Sequence, residues 1–270
     1  SEDGAAWIQK EYHRLKRLTE KYPYSYLPEV FGIGAYESSH KPVRMFLGEW
    51  LEGYHEFHHV PEGNSGETRI QVWYEEKGRF FLNDSQEVEA YRQISHILTR
   101  YYDIHTFEAI SSWHHAAGDF VIRTDENSIR VKLISVRNYA PMIKAHSVSE
   151  KIDAKPAFLL HALLLFFLNL SICIRLDRIE GVGETVWADE AALEGLMLGF
   201  YSGLEMNPTP EGFPASISDC FKAYLLQGQK ADFDSLLSDV ATHHIHEAPF
   251  IRGRLKRHGE TLYDLFLKHL

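Results

Sequence analysis

The chain has 270 residues, 44% hydrophobic and 24% charged, which is the profile of a globular protein with enough core for one large domain or two lobes. Its formal net charge of −10 argues against a nucleic-acid backbone as the main partner, since phosphate binding needs a basic face, and equally against an anionic membrane surface. The two cysteines, Cys173 and Cys220, are too few for a disulfide framework. Cys173, inside an apolar run, reads as a buried thiol of a reducing, cytoplasmic compartment. The acidic start Ser1-Glu2-Asp3-Gly4 does not read as a signal peptide.

In chain order, Ile8, Tyr12, Leu15 and Leu18 recur at helical spacing, so residues 5–21 are expected to form an amphipathic helix that Tyr22-Pro23 breaks. Val30–Tyr36 and Arg44–Trp50 read as an antiparallel strand pair, and 62–66 as a loop. A helix over Gln86–Arg100 presents Val88, Tyr91, Ile94 and Leu98 on one side. Phe120–Ile122 and Ile129–Ile134 form a second strand pair around the turn Thr124-Asp125-Glu126-Asn127. From there helices are expected over 157–174, 189–204, 216–227, 232–244 and 254–269. Ala157–Ile174, apolar all round but holding His161 and Asn169, reads as a buried core helix in preference to a membrane span. A little sheet followed by many helices is an α+β arrangement.

Three segments, in order, carry a family resemblance. Lys10–Leu18, with Glu11, runs into Leu27-Pro28-Glu29-Val30-Phe31-Gly32. Phe46-Leu47-Gly48-Glu49-Trp50-Leu51-Glu52-Gly53 has the form hydrophobic-x-Glu-hydrophobic-x-Gly. Trp113-His114-His115-Ala116-Ala117-Gly118-Asp119-Phe120-Val121-Ile122 precedes Val131–Arg137. Together these resemble the aminoglycoside-phosphotransferase type of small-molecule kinase, which has the protein-kinase-like fold. The resemblance implies a partial N-terminal sheet lobe and hinge over residues 1–53 and a helical lobe over 54–270. It implies ATP and Mg2+ as cofactors, and Glu11 as the helix glutamate that pairs with a strand lysine. Glu49, Trp50 and Leu51 would form a hinge whose backbone holds adenine.

In the loop before Phe120 two registers stay open. In one, Asp119 is the catalytic aspartate, Ala117 replaces the family's histidine and Thr124 its asparagine. In the other, Asp119 is a metal ligand and His114 replaces the catalytic aspartate. In both, Ser135 stands where the family has its magnesium-binding aspartate. No glycine-rich loop or strand lysine precedes Glu11 in this sequence.

The expectation is therefore a divergent kinase-fold protein with degenerate motifs, binding a nucleotide or small polar ligand and, if active, using Asp119 and His114. A non-catalytic pseudokinase-type binding or scaffold module, with a protein partner, is the alternative. A second alternative is a metal-dependent hydrolase built on the histidine clusters His58-His59, His114-His115 and His243/His244/His246 with Glu247. There is no G-x-S-x-G, and Phe200–Leu204 reads instead as a helix packing site. Gly181-Val182-Gly183 lacks the surrounding pattern of a dinucleotide site. Trp113 is a candidate for substrate stacking, and Arg137 for a phosphate contact or a structural salt bridge.

Overall fold

The computed structural model describes residues 2–37, 42–62, 68–74, 78–113, 118–125, 128–143, 156–244 and 247–269. The chain is a mixed α+β protein with several small antiparallel sheets. Helix α1 (Glu2–Lys21) lies on the hairpin of β1 (Val30–Glu37) and β2 (Pro42–Gly48), with Tyr12 against Phe46 at 6.2 Å between ring centres. Leu15 and Leu18, on the same side as Tyr12, are buried, as the helical spacing requires. The polar side of α1 ties the hairpin to the rest of the fold through Arg17–Glu108 (2.8 Å) and Lys21–Asp103 (2.6 Å).

A three-stranded meander follows: β3 (Phe57–Pro61), β4 (Thr68–Tyr74) and β5 (Gly78–Phe81). Helix α2 (Asp84–Arg100) starts from a capping box in which the Asn83 side chain takes the Gln86 N–H and Gln86 returns the bond. Next come β6 (Glu108–Ser111), β7 (Phe120–Asp125), β8 (Ser128–Leu133) and β9 (Asn138–Pro141), paired β6–β9 and β7–β8. Helix α3 (Pro156–Cys173) leads to the short hairpin β10 (Leu176–Arg178) and β11 (Thr185–Trp187). The chain then closes with α4 (Glu190–Met206), α5 (Ile217–Gln227), α6 (Lys230–Ala241), α7 (Ala248–Arg252) and α8 (Leu255–His269).

The core sits between α2, α3 and α4. Gly195, Gly199 and Gly203, one turn apart on α4, let the backbones of α2 and α4 meet closely. A Cβ at Gly199 would lie 2.1 Å from the Arg92 carbonyl oxygen, and one at Gly195 2.5 Å from Tyr91 Cβ. Ser95 Oγ donates to the Leu196 carbonyl across this seam at 2.9 Å, and His96 Nδ1 meets Ser202 Oγ at 2.8 Å. The packing role read from Phe200–Leu204 is thus visible at Ser202 and Gly203, and it extends to Gly195 and Gly199.

Helix α3 is apolar all round because neighbouring helices surround it; Phe167 touches Phe200 (4.6 Å) and Phe266 (4.8 Å). Its polar groups find partners inside the fold, His161 Nδ1 with Tyr224 Oη (3.1 Å) and Asn169 Oδ1 with His244 Nε2 (3.2 Å). Among the described residues it is the one helix long and apolar enough to cross a membrane, and most of it is buried in the fold. Cys173, with its thiol pushed up to about 12 by burial, ends it.

The structure corrects the reading in two stretches. His58-His59 does not follow a strand but lies within β3, and residues 174–188, expected to be helical or connecting, hold the β10–β11 hairpin. Strands of three to five residues are too short for periodicity to register, and β6–β9 joins segments about thirty residues apart.

Candidate ligand-binding cleft

Segment 49–51 leaves the end of β2 and is pinned on both sides. Upstream, the Glu49 N–H donates to the Glu29 carbonyl (2.8 Å). The Glu29 N–H returns a bond to Glu49 Oε2 (3.3 Å). Downstream, Gly53 turns the chain at φ +76°, a conformation that glycine adopts without strain. His55 and Ile122 then exchange a pair of backbone hydrogen bonds (2.8 and 2.9 Å) that fasten the segment to β7. Lys132 Nζ, on β8, lies 3.9 Å from Glu49 Oε1.

Between the pins, the Glu49 carbonyl, both Trp50 backbone groups and the Leu51 N–H take no hydrogen bond from the described residues. Backbone groups of a folded chain are ordinarily paired with protein or water, so these four are available to a ligand. They border a cavity of about 400 Å³ whose walls include Phe46, Leu51, Tyr54, Val121 and Ile134. Trp50, 87% exposed, stands at the rim.

The cleft therefore joins Glu49, Trp50 and Leu51 to the β7–β8 pair, which Asp119 directly precedes and Ser135 follows. Val121 is two residues beyond Asp119, and Ile134 directly precedes Ser135. Asp119 itself is not in the lining. Its carboxylate is buried and accepts from Arg137 Nε at 2.9 Å, and its carbonyl takes the Ile134 N–H at 2.7 Å. Arg137 is held in turn through its carbonyl oxygen by the guanidinium of Arg14 on α1. The salt-bridge reading of Arg137 matches this geometry. Glu11 is half-buried on α1, makes no ion pair among the described residues and does not line the cleft.

His114 and His115 lie outside the described residues, as does His246, so their roles are not addressed by this geometry. Trp113 is buried edge-on against Phe120 at 5.7 Å, a core position. His58 and His59, adjacent on β3, point to opposite faces. His58 stacks on Trp73 (4.0 Å) beside Glu56, while His59 faces Tyr91 and Asp177. Glu247 pairs with Arg178 at 3.8 Å, and His243 Nδ1 meets the Asp239 carbonyl. No group of three or more potential metal ligands converges among the described residues.

Phe46, Tyr54, Val121 and Ile134 were not singled out in the sequence. The alternation of β7 held the signal: Phe120 and Ile122 are fully buried, which sends Val121 to the opposite face, toward the cleft. Comparison with protein-family models, with curated proteins and with solved structures found no match to this chain.

Proposed function

We propose that the cleft at residues 49–51 binds a flat heteroaromatic group, such as a nucleotide base, in a divergent kinase-like protein that does not transfer a phosphoryl group. The observation that carries this reading is the uncommitted run of backbone acceptors and donors from Glu49 to Leu51 along an apolar slot. A purine edge offers the complementary pattern, and Val121 and Ile134 supply apolar surface for its faces.

Phosphoryl transfer would require carboxylate oxygens to hold magnesium. Asp119 is instead bound by Arg137, and Ser135 offers a hydroxyl at the position where the resemblance calls for a second acid. This donor set does not suit a catalytic magnesium, which favours a binding module over an enzyme.

Thermal-shift titration with adenosine, ADP and ATP, each with and without magnesium, tests the proposal. Stabilisation that saturates with all three, unaffected by magnesium and absent in Val121→Phe, is the expected outcome. No shift with any of them at millimolar concentration would sink the base-binding reading. Turnover of ATP that disappears in Asp119→Ala would overturn the non-catalytic one.

A further inference from the structure

A second cavity, remote in sequence from segment 49–51, lies where the β11–α4 junction meets the corner between α7 and α8. It measures about 550 Å³, and Arg175, Trp187, Arg254, Arg257 and His258 contribute to its lining. Arg175 follows directly on the last turn of α3, with its N–H on the Ile172 carbonyl. It is 93% buried, being 7% exposed, yet among the described residues its side chain makes one hydrogen bond, from Nε to the Ala188 carbonyl at 2.6 Å. Among the described residues its terminal Nη groups meet no acceptor and it forms no ion pair; these nitrogens are not sealed in the core but open to the cavity they line.

A buried guanidinium ordinarily has a carboxylate partner. The two nearest candidates are committed elsewhere. Asp189 caps α4 by accepting the Ala191 N–H (3.0 Å), and Glu190 Oε1 is held by Arg257 Nη2 (3.0 Å). The Trp187 ring, 5.0 Å from the guanidinium carbon, offsets part of the burial cost. It leaves the Nη donors unmet. Burial pushes the Arg175 guanidinium down to about 10, so the group remains charged at neutral pH.

The rest of the cavity suits the same partner. Three guanidinium groups face two carboxylates in its lining. The first turn of α8 carries no acidic residue, and its Arg257 and His258 line the space. An adjoining cavity of about 440 Å³ shares Trp187, Asp189 and Ala191, which gives room for more than a bare ion.

We propose that this cavity is a binding site for a small molecule bearing an oxyanion, a carboxylate or phosphate group, which the planar Arg175 fork receives in bidentate fashion beside the Trp187 ring. The site stands independently of the cleft at 49–51.

Isothermal titration with inorganic phosphate and with benzoate, at ionic strength held constant with chloride, tests it on the intact chain. At least one probe is expected to saturate, and its affinity to fall tenfold or more in Arg175→Gln. Phosphate alone binding points to a phosphorylated ligand, and benzoate alone to a carboxylate. The exposed double variant Arg254→Gln/Arg257→Gln should keep the melting temperature and bind about threefold more weakly or worse. The proposal is overturned if neither probe saturates, or if Arg175→Gln binds as tightly as the unaltered chain. Should Arg175→Gln fail to fold, unchanged affinity in the double variant overturns it equally.

Discussion

The seam between α2 and α4 and the hairpin β1–β2 with its 49–51 extension are built to opposite rules. In the seam, backbones touch through glycines, and Ser95, His96 and Ser202 find partners across it. On the hairpin, Tyr36, Val43, Met45 and Leu47 are exposed on the face away from α1, and Gly32 and Gly34 have open space where a Cβ would stand. The first region is closely packed with polar groups bonded across it; the second keeps apolar surface and backbone polar groups in reserve. The difference is one of packing: close backbone contact constrains the seam, while the hairpin and the segment that leaves it carry the open surface on which the proposed base-binding reading rests.

Matched glycine substitutions probe that contrast most sharply. Gly199→Ala drives a methyl group into the Arg92 carbonyl and Ser95 Cβ, and should cost about 3 kcal/mol despite the better helix propensity of alanine. At this chain length that lowers the melting temperature by roughly 6–12 °C in calorimetry. Gly34→Ala, with nothing within 4 Å, should leave it unchanged; equal losses at both positions would erase the distinction.

Acid exposes the scaffold next. Burial and the Arg175 charge push His258 down to about 3, and burial with Arg92 and Arg100 pushes His96 down to about 4, from 6.5. Both rings stay neutral in the fold while the unfolded chain takes up protons below about pH 6.5. The unfolded state therefore binds more protons, and stability is lost as pH falls from 6.5 toward those values. For buried His258 the slope approaches about 1.4 kcal/mol per pH unit. Melting temperatures recorded from pH 7.5 to 4.5 should fall, and less steeply in His258→Gln than in the parent; parallel slopes would rule out this origin.

The smallest effect belongs to the hairpin. Leu47, 67% exposed, lies in the open apolar face, so Leu47→Lys should change unfolding free energy by no more than about 0.5 kcal/mol in denaturant titration. A larger loss would mean that this face is covered in solution.

The long elements were legible from the sequence because their patterns repeat. Helix α1 declared itself through Tyr12, Leu15 and Leu18, and α3 through a long apolar run interrupted by few polar residues. The β1–β2 and β7–β8 pairs were legible from two apolar runs flanking a polar turn. The meander β3–β5 and the pairs β6–β9 and β10–β11 were not, since all their strands but β4 are short and the β6–β9 pairing is non-local. Of the cleft, the sequence supplied Glu49–Leu51 through the strand-then-glycine form of the segment. Alternation along β7 carried a signal for Val121, but that this face and Ile134, just past β8, border segment 49–51 follows from the tertiary placement of the strands. The Arg175 cavity had no sequence signal at all, because an arginine at the end of an apolar helix reads as a flank until its missing partners can be seen.

The same seam has a consequence for biosynthesis. Arg100 and Thr99, at the end of α2, are met by Asn207, which lies 107 positions later than Arg100. At translation rates of roughly 5–20 residues per second, α2 waits on the order of 5–20 s on the ribosome before α4 has been made. Throughout that interval the α2 surface that later accepts the three glycines has no mate. The nascent chain thus holds a sticky helix in suspension, and the cell must shield it until the second half of the protein emerges.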